Sequence, residues 1–224
     1  MMNFIDYADA DMMMLQVARL VSRDLRNALA RRERVVFAVP GGSTPGPIFD
    51  LLAASDLEWE RIVVLPGDER WVSEDHARSN AAQIRARLLR DLAAPAQLIP
   101  LWRPLADPQD AMVEVNAAVD ALLPIDVAIV GMGADMHTAS LFPGADNLAV
   151  ALSDDAPAVL PVYAPGATEP RVTLAARVLR DAYALHVLIT GENKSKAIHK
   201  AERMNPIDAP IAAILAHATV HWAP

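Results

Sequence analysis

The sequence predicts an α/β fold in which residues 1–224 form a single domain, a mostly parallel sheet with helices on both faces. Two observations carry that expectation. Short apolar runs at residues 35–39, 62–65, 127–130 and 186–190 read as strands buried on both faces. Between them lie stretches with helical spacing of apolar residues, and strands alternating with helices build parallel sheets. Hydrophobic residues make up 53% of the 224, enough for one large core, and no internal repeat, low-complexity tract or interdomain linker interrupts the chain.

The elements follow in order. Met14, Ala18, Val21, Leu25 and Leu29 recur at helical spacing with Arg19, Arg23, Asp24 and Arg26 between them, an amphipathic helix that starts near Asp9. Arg31-Arg32-Glu33-Arg34 reads as its solvated end, where cations suit the dipole. After strand 35–39, Ser43 is expected to cap a helix beginning near Pro45. After strand 62–65, Ser79 caps a helix carrying Ile84, Leu88 and Leu89. A proline-punctuated connection holds a short extended piece at 98–101, then a helix spans 109–122. Strand 127–130 is central. Beyond it come a strand at 159–163, a loop at 164–170, a helix at 173–179, strand 186–190, helices at 194–203 and 210–216, and a last strand at 219–222.

Composition removes several classes of function. A net charge of −8 argues against a general nucleic-acid binder, which needs a basic face, yet leaves room for a few local cations to hold one phosphate. The absence of cysteine excludes disulfides, thiolate zinc sites and cysteine nucleophiles. The first eleven residues carry acids and no uninterrupted apolar core, unlike a signal peptide, and no run of about 18 apolar residues predicts a membrane span. A cytoplasmic protein is expected, with no membrane or nucleic-acid partner and an oligomeric state left open.

Five segments carry chemistry, each placed beyond a strand or loop, where ligands of open α/β sheets bind. Gly41-Gly42-Ser43-Thr44-Pro45 lies between a strand and a helix, so glycine backbone, unpaired N–H groups and two hydroxyls make a candidate phosphate cradle, with an ordinary capped turn as the alternative. Gly67-Asp68-Glu69-Arg70 pairs carboxylates with an arginine, to orient a polar substrate or brace the arginine, with a surface ion pair as the alternative. Gly131-Met132-Gly133-Ala134-Asp135-Met136-His137 brings a histidine to the mouth of a glycine turn, where a group of pKa about 6.5 can move protons. Asp135 either holds that imidazole in one tautomer or caps the next helix, and Thr138 and Ser140 read as capping groups. Arg171 and Lys194 stand near helix starts, as phosphate contacts or as solvated charge. The remaining histidines, His186 and His221 among them, form no metal-binding spacing.

Taken in register, these segments resemble the 6-phosphogluconolactonases, within the sugar-phosphate isomerase-like superfamily that includes the glucosamine-6-phosphate deaminases. The likeness rests on Gly41-Gly42-Ser43-Thr44-Pro45, Gly67-Asp68-Glu69-Arg70, Ser79-Asn80, Asp135 with His137-Thr138-Ala139-Ser140-Leu141-Phe142-Pro143, Pro170-Arg171-Val172-Thr173, and Gly191 with Lys194. It implies hydrolysis of 6-phosphoglucono-δ-lactone to 6-phosphogluconate in the oxidative pentose phosphate pathway, on a Rossmann-related fold, with no required metal or organic cofactor. By position, His137 would be the general base, with Asp135 supporting it. Arg70 would sit near the lactone and its phosphate, and Asp68 would help organise the pocket; Gly42, Ser43, Thr44, Arg171 and Lys194 would hold the phosphate.

Two positions depart from the family pattern. Met136 replaces the usual glycine between aspartate and histidine, which strains the turn if that backbone takes a positive φ. Pro66 stands where an aromatic residue is frequent. Two other readings compete: an amino-sugar-phosphate deaminase using a carboxylate at Asp68, and a non-catalytic sugar-phosphate sensor. Deaminases typically read Asp-Glu-Tyr where this chain has Asp68-Glu69-Arg70, and the intact His137 argues for catalysis over sensing.

Overall fold

The structure, a computed structural model, describes residues 2–164 and 167–224, so Pro165 and Gly166 of the expected 164–170 loop lie outside it. In chain order the elements are β1 (Asn3–Asp6), α1 (Ala10–Leu29), β2 (Val35–Val39), α2 (Gly46–Ala53), β3 (Ile62–Pro66), β4 (Asp68–Arg70), α3 (Asn80–Arg87) and β5 (Gln97–Leu98). There follow α4 (Pro108–Asp120), β6 (Val127–Gly131), α5 (Leu148–Ala151), β7 (Val159–Val162), β8 (Arg171–Leu174), α6 (Ala176–Arg180), β9 (Ala184–Thr190), α7 (Glu192–Ala201), α8 (Ala212–Leu215) and β10 (Ala218–Ala223).

Seven strands form one parallel sheet in the order β1-β10-β9-β6-β2-β3-β5. The chain leaves β2 toward β3 on one side and later sets β6 on the other. The loops after β2 and β6 therefore diverge, and a crevice opens between them at the carboxyl edge. The apolar runs become buried strands because each side chain finds a core. In β2, Val35, Phe37 and Val39 enter the layer under α1, α2 and α3, while Val36 and Ala38 enter the opposite layer. β6 divides the same way, Val127 and Ile129 against Ala128 and Val130. Helix α1 opens as its sequence directs: the Asp9 carboxylate accepts from Met12 N at 2.7 Å, and Met13, Val17, Val21 and Leu25 are wholly buried. Among the described residues, no helix is long and apolar enough to cross a membrane.

A second, antiparallel sheet, β4-β8-β7, packs beside the carboxyl edge and corrects one expectation. Residues 173–179 are not one helix. Residues 171–174 are the strand β8, and only Ala176–Arg180 is helical. Val172 and Thr173 are β-branched and Thr173 is fully buried, so pairing with β4 and β7 outweighs the local helical pattern. Strand β7 is the sheet's outer strand, and its outward backbone is already engaged. Asn116 Oδ1 accepts from Val159 N at 2.8 Å, Asn116 Nδ2 donates to Val159 O at 2.9 Å, and Asn147 Nδ2 donates to Pro161 O at 2.9 Å.

Three other expectations change. Ser43 caps nothing: α2 begins at Gly46 behind Pro45, without a side-chain cap, and Gly46 N donates to the Ser43 carbonyl instead. Strand β1 was hidden in the Met-rich start and exists by pairing with β10. The Arg31–Arg34 cluster is not wholly solvated, because Arg32 reaches buried Asp126 at 3.3 Å and donates to the Tyr183 hydroxyl at 2.9 Å.

Beneath α1 the two unassigned histidines form a polar chain. Tyr7 Oη meets His221 Nδ1 at 2.9 Å, His221 Nε2 meets His186 Nδ1 at 3.1 Å, and His186 Nε2 meets Asp24 Oδ2 at 3.2 Å. The carboxylate can only accept, which sets the run of donors: Tyr7 to His221, His221 to His186, His186 to Asp24. Burial, with neighbouring His186 adding to it, pushes the His221 pKa down to about 3. Unfolded, that ring titrates near 6.5, so the unfolded chain binds the extra proton first. The stability from keeping it neutral is complete above about pH 6.5 and is lost as pH falls toward 3. Unfolding free energy against pH should therefore fall by up to about 1.4 kcal/mol per unit over that window, and His221→Asn should flatten the slope by about one proton. Equal slopes for the two proteins would contradict this account.

Candidate active site

The crevice at the carboxyl edge holds a cavity of about 260 Å³. It brings together Gly42 and Thr44 after β2, Asp68 and Arg70 on β4, His137 after β6, Arg171 on β8 and Lys194 in the first turn of α7. Two of the expected site residues do not line it. Ser43 faces a groove on the other side of its loop, with Phe49 and Gln83, and Asp135 stands behind the histidine.

The turn after β6 is built to present an imidazole. Thr138 Oγ1 donates to the Gly131 carbonyl at 2.9 Å, Gly133 N donates to the His137 carbonyl at 3.0 Å, and Ile211 N donates to the Met136 carbonyl at 3.1 Å. The ring lies over Gly133, where a Cβ would come within 2.2 Å of it, so this glycine is needed for room. Met136 sits at φ +66 and Ala139 at φ +49. The position that departs from the family pattern thus takes the left-handed backbone that favours glycine, and methionine bears the strain. Asp135 Oδ1 meets His137 Nδ1 at 2.5 Å, the contact that an orienting carboxylate makes. A carboxylate there fixes the proton on Nδ1 and leaves the Nε2 lone pair open. Thr138 and Ser140 cap no helix; both tie the turn down.

Strand β4 presents two adjacent carboxylates with different tasks. Asp68 Oδ2 accepts from Ser140 Oγ at 2.5 Å, its Oδ1 accepts from Asn80 Nδ2 at 3.2 Å, and its backbone carbonyl takes the same Nδ2 at 2.8 Å. Glu69 is wholly buried and takes four donors: Arg70 N at 2.8 Å, Asn80 N at 2.7 Å, Ala81 N at 2.7 Å and Ser79 Oγ at 3.1 Å. Burial raises its pKa, the three backbone N–H groups oppose the rise, and neighbouring Asp68 adds to it. In the sequence Glu69 stands only as one half of the Asp68-Glu69 pair; the signal for its own role is Ser79-Asn80, which supplies two of the four donors.

Arg70 and Arg171 are directly opposite one another across β4 and β8. Opposed like charges destabilise a sheet. Burial first, and Arg70 second, push the Arg171 pKa below its ordinary value. Arg70 donates to the Arg78 carbonyl at 2.5 Å, and the buried Nε atoms of both opposed arginines have no hydrogen-bond partner among the described residues. Phe142 joins the two halves of the site, its ring centroid 4.4 Å from that of His137 and 5.8 Å from the Arg171 guanidinium carbon. Arg171 thus acts from a strand, not the helix start first expected, while Lys194 does stand in a first helical turn, behind Gly191 at φ +86. In a chain of net charge −8, three cations line one cleft and make its potential locally positive. Among the described residues, no cluster of three or more His, Asp or Glu side chains is arranged to hold a metal ion.

Known proteins resemble this chain in sequence and in fold. The family model for glucosamine-6-phosphate isomerases/6-phosphogluconolactonase matches residues 8–222. A 6-phosphogluconolactonase of Mesorhizobium japonicum is 38% identical, covering 99% of this chain and 95% of its own. One from Pseudomonas aeruginosa is 39% identical over 93% of this chain and 89% of its own. The crystal structure of a 6-phosphogluconolactonase from Shewanella baltica superposes with a TM-score of 0.96 at 26% identity, covering 100% of this chain and 98% of that one. The chain shares its fold with these proteins and belongs to the glucosamine-6-phosphate isomerase/6-phosphogluconolactonase family.

Proposed function

We propose that this chain hydrolyses 6-phospho-D-glucono-1,5-lactone to 6-phospho-D-gluconate, in the oxidative pentose phosphate pathway, with His137 as general base. The observation that carries the reading is the pair of opposed arginines in the cleft that His137 lines. Their mutual repulsion is relieved by an anion, and the substrate brings a phosphate. Lys194, Thr44 and the Gly42 loop complete that subsite, with Ser43 contributing backbone alone. The phosphate is remote from the reacting carbonyl, so its binding energy positions the lactone.

His137 Nε2 takes a proton from water as the oxygen attacks the lactone carbonyl carbon. The developing oxyanion is met by the positive charge of Arg70, which lines the same cavity as His137. The tetrahedral intermediate then collapses, the bond to the ring oxygen breaks, and the imidazolium returns its proton to that oxygen. Water, a base and a positioned cation suffice, without metal or organic cofactor, and residues 1–224 act as one cytoplasmic domain on a small phosphosugar. A deaminase needs a free carboxylate to abstract a carbon-bound proton. Asp68 has both oxygens engaged by Asn80 and Ser140, which favours its organising role over that chemistry.

Turnover of freshly generated lactone, coupled to 6-phosphogluconate dehydrogenase and corrected for spontaneous hydrolysis, is the direct test. His137→Ala should lower kcat by about 10²–10⁴-fold; a wild-type rate equal to background would sink the proposal. Arg171→Leu should weaken inorganic phosphate binding by about ten-fold or more, yet raise the melting temperature of the ligand-free protein, because the opposed charge is gone. At the strained position, Met136→Gly should keep turnover within about three-fold. Met136→Val, β-branched at positive φ, should lower both turnover and melting temperature.

A further inference from the structure

The glycine loop after β2 is shaped from behind by one stripe of α3. Asn80, Gln83 and Arg87 stand at i, i+3 and i+7, spacing that keeps them on one helix face. Each meets a different glycine. The Asn80 carboxamide occupies the space at Gly41, where a Cβ would lie 1.8 Å from Oδ1. Gln83 Oε1 accepts from Gly42 N at 2.8 Å, and Gly42 holds φ +89 with open space around it. The Arg87 guanidinium lies against Gly46, where a Cβ would fall 1.9 Å from its terminal nitrogen, and its Nε donates to Asp50 Oδ1 at 3.2 Å. Gly41 is therefore glycine for room, against a buried side chain, and Gly42 for its backbone.

The Gly42 N–H, expected in the phosphate cradle, is thus already used. Gln83 lies in the groove on the far side of the loop and does not line the main cavity. Among the described residues, the N–H groups of Ser43 and Thr44 donate to no acceptor.

We propose that Gln83 is a positioning residue for the phosphate subsite: its bond to Gly42 N holds the glycine loop in the binding-ready shape, leaving Ser43 and Thr44 N–H for the anion. This rests on the lactonase reading of the same cleft. Without the tie, a loop with two adjacent glycines samples more backbone states, and the ligand must order it. The loss falls on phosphate binding and not on the chemical step, because the phosphate is remote from the carbonyl.

Gln83→Met keeps side-chain length and removes the acceptor; Gln83→Ala is the second variant. Calorimetric titration with inorganic phosphate, and KM and kcat for the lactone, should show phosphate affinity and KM both weakened about five-fold, one net hydrogen bond, with kcat within about two-fold. A merely structural role would lower the melting temperature and leave the phosphate titration unmoved. Unchanged phosphate affinity in both variants, or a fall in kcat at constant KM, overturns the proposal. Wild-type protein that binds phosphate but turns over no lactone would instead defeat the lactonase reading, while the titration still tests Gln83.

Discussion

The Glu69 carboxylate is the fixed point of the site. It is wholly buried, and four donors from the chain around it replace its hydration. Two of them are the first backbone N–H groups of α3, which need acceptors in any case and favour a negative charge. One buried charge thereby welds strand β4 to the start of α3. The rest follows from that weld: Asn80 is brought onto Asp68, Asp68 is brought onto Ser140, and Ser140 ties the turn that carries His137. Losing one partner of such a network is costly, because the remaining polar groups stay buried without replacement.

The opposed arginines and the strained turn belong to the same economy of the fold. Left-handed backbone at Met136 and Ala139, and like charge across β4 and β8, each lower stability where they occur. They persist because the parallel sheet beneath is heavily buried, with every residue of β2 and β3 enclosed. The cleft stands where the strand order reverses, so the loops that carry Thr44 and His137 spring from neighbouring strands β2 and β6.

Much of this was legible in the chain. Strands β2 and β6 announce themselves as apolar runs because both their faces are covered, and Asp9 and Ser79 mark helix starts through bonds made within a few residues. The convergence of His137, Arg70, Arg171 and Lys194 on one cavity was legible through the resemblance of their motifs, taken in register, to a known family. What was not legible depends on distant pairing. Residues 171–174 are a strand because β4 and β7 flank them, and β1 exists because β10 is there to receive it. Ser43 is turned away by a loop whose shape is set from α3, about forty residues downstream, and His186 and His221 become a relay only when two strands align.

Strand β7 carries a last consequence. Its outward-facing backbone groups are spent on Asn116 and Asn147, and Pro161 has no N–H to offer. A sheet edge of this kind presents no template for another strand, whether from a second copy or from a misfolded neighbour. The same two asparagines thus close this edge to further pairing and hold the strand that flanks Arg171.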